Sequence, residues 1–350
     1  MAGGVSQRMA EEIKTITIAG GGLAGLALGI ALRREGVPVV LYEALCYPRH
    51  RVCGEFISGV REETLQQLGI ADLLDMARRP QVVKWWSGDH SLGTFSLPEP
   101  AYALSRYGLD AQLCERLRAL GGEVRENSRA SADPEPGTVW AAGRRPTKGH
   151  WIGLKAHVRG VALAAGLEMH LGTNGYVGLV EIEEGWSNVC GLFRVQSSIQ
   201  ARGPQLLLDY LRHIGLDALG DRLQRASWRD DSFCAVAGFR LGMQPPRAGL
   251  AVIGDSHSII PPFTGNGMSM ALEAAALAVV PLCRYARYQE DWQATLRSLQ
   301  NNAANAFHRR LTLAGTCQNL LLAPWFRRPL EILAQQQLLP FRPLFSLTRR

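Results

Sequence analysis

The alternation of apolar and polar positions is most regular near the start of the chain. Ile16 and Ile18 alternate with Thr15 and Thr17 in a β-prone run, and Leu23, Leu26, Ala27, Ile30 and Ala31 then repeat at helical spacing. Residues 37–43 (VPVVLYE) read as a second, parallel strand. The turn between first strand and helix holds Gly20, Gly22 and Gly25 at the G-x-G-x-x-G spacing. There the first glycine permits the tight turn, the second lets a pyrophosphate approach the backbone, and the third lets helix and strand pack closely. Leu23 and Ala24 open the helix, whose free N-terminal amides favour an anion; Arg33 and Arg34 end it, and Gly36 caps it. Glu43 closes the second strand, 23 positions after Gly20. A carboxylate there accepts the hydroxyl protons of an adenosine ribose and repels a 2′-phosphate. Strand, turn, helix, strand and acid in this order predict a dinucleotide site.

The pattern then changes several times. A turn-rich loop, CYPRHRVCGEF, carries Arg49, His50, Arg51, Cys53 and Glu55. Residues 61–79 predict a polar helix, and the next stretch predicts strands bearing Trp85, Trp86 and Phe95. Residues 108–124 predict a second amphipathic helix leading into a strand, with Arg106 just before it. Residues 127–149 are rich in Pro, Gly and Ser and hold one short apolar strand at 138–142. Residues 151–200 alternate with period two around turns at 173–175 and 183–185, forming a sheet layer that holds Trp151, His157 and Tyr176. Residues 204–226 predict helix, 233–241 a returning strand, and the chain beyond 267 is largely helical, with no internal repeat.

A second informative segment starts at residue 249. Residues 250–253 predict a strand ending in Gly254-Asp255, and a loop with Pro261, Pro262, Gly265, Asn266, Gly267 and Met268 feeds a long Ala-rich helix. An acid at such a strand end can hydrogen-bond a ribityl hydroxyl, and the helix N-terminus can stabilise negative charge on a reduced isoalloxazine. A long cofactor uses both sites, whereas a plain nicotinamide dehydrogenase has no use for the second.

Composition narrows the class. The chain has 350 residues, 47% of them hydrophobic, enough for one large or two interleaved domains. Seven cysteines without a C-x-x-C pair speak against a disulfide framework and a zinc site, so no metal is expected and a reducing cytoplasm is the simpler home. The first twelve residues read as a loose tail without a secretory signal. The apolar runs at 271–283 and 311–326 are too short or interrupted for a membrane span. Net charge is +7, but the arginines are dispersed, which argues against nucleic acid as a partner.

The fingerprint with Glu43, the YPRHRVCGEF loop and the segment GDSHSIIPPFTGNGMSMALE together resemble the FAD-dependent monooxygenase and geranylgeranyl reductase superfamily, with flavin-dependent halogenases in its wider circle. The resemblance spans residues 14–285. It implies that Gly20, Gly22 and Gly25 hold the pyrophosphate, Glu43 the adenosine ribose, Asp255 the ribityl chain or pyrophosphate, and residues 265–268 the flavin ring. Arg51 or Arg49, with Arg106, would contact the phosphate side. The family's middle motif carries an Asp-Gly pair linked to pyridine-nucleotide contacts, where this chain reads Ala142-Gly143-Arg144-Arg145. The halogenases' W-x-W-x-I-P segment is absent.

The expected architecture is α/β. A discontinuous Rossmann-like FAD-binding domain (14–79, 101–150 and 235–285) joins a β-sheet substrate domain (80–100 and 151–234), and residues 286–350 form a C-terminal helical region. Trp85, Trp86, Trp151, His157 and Tyr176, with Phe95, are candidates for an apolar substrate pocket. Cys53, His257 and Pro262 are candidates beside the flavin, and no Ser-His-Asp triad is visible. The leading expectation is an FAD-dependent monooxygenase of an aromatic or lipophilic small molecule in specialised metabolism, with NAD(P)H as a transient electron donor. A reductase of isoprenoid or enone double bonds, with Cys53 as proton donor, is the first alternative. A flavin-binding module without turnover is the second. The tail at 324–350 interleaves five arginines with Trp325, Phe326, Phe341 and Phe345. It is expected to cover the cavity rather than to tether the protein to a membrane.

Overall fold

The computed structural model describes residues 13–131, 133 and 135–349, with Leu344 described at its backbone only. The N-terminal residues read as a loose tail lie outside the described residues.

Five parallel strands form the first sheet, in the order Ala251–Val252, Thr138–Trp140, Ile16–Ala19, Val39–Tyr42, Glu123–Arg125. Ile16 and Ile18 are fully buried in it. The helix Leu23–Arg34 is buried from Leu23 through Leu32. It is apolar all round because it lies between this sheet, the helix Arg106–Ala119 and the long helix Gly267–Ala286. By length and composition the last of these is apolar enough to cross a membrane. Here its Leu272, Ala275, Ala278 and Leu282 are core residues of the sheet-and-helix layer. The strand order brings the carboxyl ends of the first, the 138–140 and the 251–252 strands to one crevice, the place where open α/β sheets bind ligands.

The second sheet has eight strands of mixed direction. Ser227–Trp228, Trp151–Arg159, Ser187–Arg194, Gly175–Glu181, Leu167–Gly172, Val82–Ser87 and His90–Ser96 follow one another, and Cys234–Phe239 also pairs with Trp151–Arg159. Period-two alternation sends Leu154, Ala156, Val158, Val177, Leu179 and Val189 to one face, under the helices Pro204–His213 and Asp217–Gln224. Met169, Tyr176, Val180 and Leu192 go to the other face, where they meet the C-terminal helices Pro324–Gln335 and Phe341–Leu347. The helix Trp292–Leu321 leads into that pair.

The elements differ from the sequence expectation in four places. The helix expected over 61–79 is Glu62–Leu68, stopped by Gly69 at φ +71°, followed by a single 3-10 turn at Ala71–Leu74. That expected over 204–226 is broken in two by Gly215 at φ +79°. In both cases a glycine in the left-handed region terminates the helix. The helix expected from 108 begins two residues earlier, where Ser105 accepts the Gly108 N–H as its cap. Residues 235–239, assigned above to the cofactor domain, belong to the second sheet, because they pair in register with residues 151–154.

Candidate functional site

The crevice opens into a cavity of about 1350 Å³ that runs from the first glycine turn to the inner face of the second sheet. The three fingerprint glycines do different work there. Gly20, at φ +113°, has no room for a side chain, since a Cβ would lie 2.4 Å from the Ala141 carbonyl oxygen. A Cβ on Gly25 would lie 2.1 Å from Gly20 O, so this glycine serves helix–strand contact and does not line the cavity. Gly22 lines the cavity, and a Cβ there would meet no atom within 4 Å. Leu23 and Ala24 continue the wall at the helix N-terminus.

Glu43 is 4% exposed and lies in the same wall. Its carboxylate accepts the N–H groups of Gly21 (3.0 Å) and Leu45 (3.1 Å) and pairs with Arg49 (2.7 Å) and Arg51 (3.4 Å). Arg51 also donates to Asp110 (2.9 Å) and to Gly21 O (3.0 Å), and Arg106 makes a two-pronged contact with Asp110 at 2.7 and 2.8 Å. Burial works against the Arg106 charge, but the Asp110 carboxylate outweighs it and holds the pKa up. Asp110, fully buried, orients both cavity-lining arginines. Its place four residues after Arg106 on one helix face is the signal that the sequence offers for it.

At the other end of the crevice, Gly254 and Asp255 begin a 3-10 turn and line the cavity. Burial pushes the Asp255 carboxyl up, opposed by Arg144, Arg106 and Arg51. Gly265, Gly267 and Met268 line the cavity, whereas Asn266 is buried behind it and donates from Nδ2 to Thr348 O at 2.8 Å. The helix starting at Gly267 has no side-chain cap and no acidic residue in its first turn.

The far half is apolar. Trp85, Phe95, Met169, Tyr176 and Leu192 form its floor, and Phe326, Leu330, Phe341 and Phe345 from the C-terminal helices form its roof. Phe341 stacks on Phe95 at 4.6 Å and meets Trp85 edge-on at 6.4 Å. Tyr176 Oη donates to Gln318 (3.0 Å) and accepts the Phe263 N–H (3.2 Å), which fixes its ring against the helix Trp292–Leu321 and the loop at Phe263. Three expected pocket residues lie elsewhere. Trp86 follows Trp85 along a strand, so it faces the other side and stacks on His170 at 5.9 Å. Trp151 sits outside the lining under the Arg194 guanidinium.

His157 is the third, fully buried in a polar cluster behind the wall. Its Nε2 donates to Glu55 Oε2 at 2.6 Å, Lys155 Nζ lies 3.3 Å from Glu55 Oε1, and the Arg106 N–H donates to that same oxygen at 3.0 Å. Lys155 also donates to His50 Nδ1 at 3.1 Å, and burial with the nearby Lys155 lowers the His50 pKa to about 4. Lys155 was not singled out in the sequence because a lysine inside an alternating strand reads as a solvent-facing position. His50 and Cys53 line the cavity, as do His257 and Pro262. Burial raises the Cys53 thiol and lowers His257.

No family model matches the chain. A curated relative, conditioned medium factor receptor 1 of Dictyostelium discoideum, is 24% identical over 353 residues, covering 81% of this chain and 68% of that protein. Among solved structures, the flavin-dependent brominase Bmp2 superposes with a TM-score of 0.76 at 16% identity, over 96% of this chain and 93% of that one. PqsL of Pseudomonas aeruginosa in complex with 2-aminobenzoylacetate, elsewhere termed a "probable FAD-dependent monooxygenase", gives 0.70 at 15% identity, over 92% and 99%. The chain has their fold. It spans nearly the whole of both structures.

Proposed function

We propose that the chain is an FAD-dependent monooxygenase that acts on an aromatic or otherwise lipophilic small molecule. The observation that carries this reading is that one cavity joins the glycine turn to the apolar half. At about 1350 Å³ it exceeds the roughly 300–1,000 Å³ of a site for one drug-sized ligand, leaving room for a dinucleotide and a second molecule. The residues present fit FAD. Gly22 and the amides at Leu23 and Ala24 would hold the pyrophosphate, Glu43 the adenosine ribose, Asp255 the ribityl chain, and Gly265, Gly267 and Met268 the ring. FAD, when bound, supplies the two-electron chemistry and the reaction with oxygen. The chain's own part is to orient the substrate on the Trp85, Phe95 and Tyr176 floor and to exclude water with the Phe341 and Phe345 roof. PqsL, of the same fold, forms a complex with 2-aminobenzoylacetate, which supports a small-molecule substrate here. The seven free thiols suit a reducing, cytoplasmic location.

The test begins with the cofactor. Purified protein is expected to be yellow and to release FAD on denaturation, and release of FMN alone would overturn the reading. Glu43→Arg replaces an acceptor by a group that only donates, so FAD binding should weaken at least about tenfold. Asp255→Ala removes a charge-assisted hydrogen bond of about 1.5–3 kcal/mol, enough for a similar loss of flavin affinity with circular dichroism unchanged. With a nicotinamide reductant, oxygen consumption coupled to product marks a monooxygenase. Product formed without oxygen would mark the reductase alternative instead.

A further inference from the structure

Arg349 is 9% exposed and lines the cavity beside Thr264 and Gly265. A guanidinium has five N–H donors. Nε donates to Ser58 Oγ (3.0 Å), Nη1 to Phe345 O (3.1 Å) and Thr348 Oγ1 (3.2 Å), and Nη2 to Thr264 O. All these acceptors are neutral, and among the described residues no carboxylate forms an ion pair with it. The cation nearby adds repulsion: burial first, and then Arg310, lowers the Arg349 pKa to about 9, which leaves it charged at neutral pH. Arg310 itself is paired with Glu273 at 2.6 Å. One face of the guanidinium is covered by the Phe345 ring, 3.2 Å from its centre.

A buried cation without an opposing charge is unfavourable unless an anion completes the site. A second source of positive potential meets it there. The 20-residue helix Gly267–Ala286 starts at this corner without a cap or an acid in its first turn, and Asn266 at its end holds Thr348 O, tying Arg349 to the loop.

The helix N-terminus is the anion-stabilising group already expected at the ring; we infer that Arg349 adds a cation to it at the ring end of the cofactor, stabilising the negative charge that the reduced ring carries at its pyrimidine edge. The inference rests on the FAD reading. The ring is favoured over a substrate anion because Nη2 of Arg349 reaches Thr264 O beside Gly265, in the loop that would hold the ring, while the floor formed by the second sheet carries no charged lining residue. Residues 345–349 are thereby part of the redox centre as well as of the roof.

Sulfite, which adds to oxidised flavin and leaves negative charge on the ring, is the probe. Wild type, Arg349→Gln and Arg349→Lys are loaded with FAD and titrated by absorbance, and midpoint potentials are measured against a reference dye. Arg349→Gln is expected to weaken sulfite binding at least tenfold and to lower the potential, each tenfold corresponding to about 30 mV for a two-electron couple. Arg349→Lys should retain most of both. Should Arg349→Gln fail to fold, Arg349→His is read at pH 5.5 and 8.5 against wild type at the same pH, with tighter sulfite binding expected only when the imidazole is charged. Unchanged sulfite affinity and potential in variants that hold FAD overturn the inference. So does a variant that loses only the binding of benzoate, which would assign the cation to substrate. A preparation that holds no FAD instead overturns the cofactor reading itself.

Discussion

Single atoms at the glycine turn separate a structural demand from a functional one. Gly25→Ala sets a methyl 2.1 Å from Gly20 O and 3.2 Å from Ile18, so something must move, and a loss of about 1–3 kcal/mol is expected in urea unfolding of the flavin-free protein. Gly22→Ala has free space and an ordinary φ of −87°. It should change the flavin-free stability by no more than about 1 kcal/mol, yet weaken FAD binding at least about tenfold, measured by fluorescence titration. Equal effects of the two variants would show that the fingerprint serves packing alone. The positions of these glycines, Glu43 and Asp255 were legible from spacing, because each backbone demand maps to one residue type. Lys155 and Arg349 were not, since their roles come from neighbours 105 and 85 or more positions away, and for Asp110 only the pairing with Arg106, four positions away, lay within reach of the sequence, not that with Arg51, 59 positions away.

Among the elements, the strand Leu167–Gly172 is tied to the helix Asp217–Gln224 by a buried charge. Glu168 is fully buried and accepts from Arg222, from His170 Nε2 (3.0 Å) and from the Ala164 N–H (2.6 Å). Burial alone would raise its pKa, but the hydrogen bonds from His170 and Arg222 prevail and hold it at about 2. A carboxyl whose folded pKa lies below its unfolded value contributes stability above the unfolded pKa, near 4.3, and loses it as pH falls toward the folded value. Wild type should therefore exceed Glu168→Gln in urea midpoint at pH 7, with the gap closing between about pH 4.5 and 2. A gap independent of pH would assign the effect to shape rather than charge. The elements themselves were mostly readable, since period two and period 3.6 are properties of the chain. Helix breaks at Gly69 and Gly215 were missed, because a glycine inside an amphipathic run shows its left-handed conformation only once the flanking turns are placed.

For the whole molecule, the cavity depends on the C-terminal helices as much as on either sheet. Arg327 Nε donates to Ser87 Oγ (3.0 Å), which donates in turn to Glu331 (2.7 Å), pinning the helix Pro324–Gln335 to the strand Val82–Ser87. Truncation after Ala323 exposes the apolar floor and should lower the melting temperature, raise binding of a hydrophobic dye and abolish turnover. The intact protein should not bind anionic liposomes, and clear binding at low ionic strength would make the tail a tether instead. The fold class was legible from the two glycine-rich segments, and a covering role for the tail from its apolar positions, but which of its residues meet the floor was not, because only packing creates those contacts. The first sheet also sets how the chain must fold. Ile16–Ala19 waits for Thr138–Trp140, and that strand waits for Ala251–Val252, each pairing closing a loop of roughly a hundred residues that contains strands of the second sheet. So non-local an order makes refolding by dilution slow, on the order of milliseconds to seconds or beyond. A fragment stopping short of residue 251 leaves a bare parallel edge, and is expected to aggregate before it can hold a nucleotide.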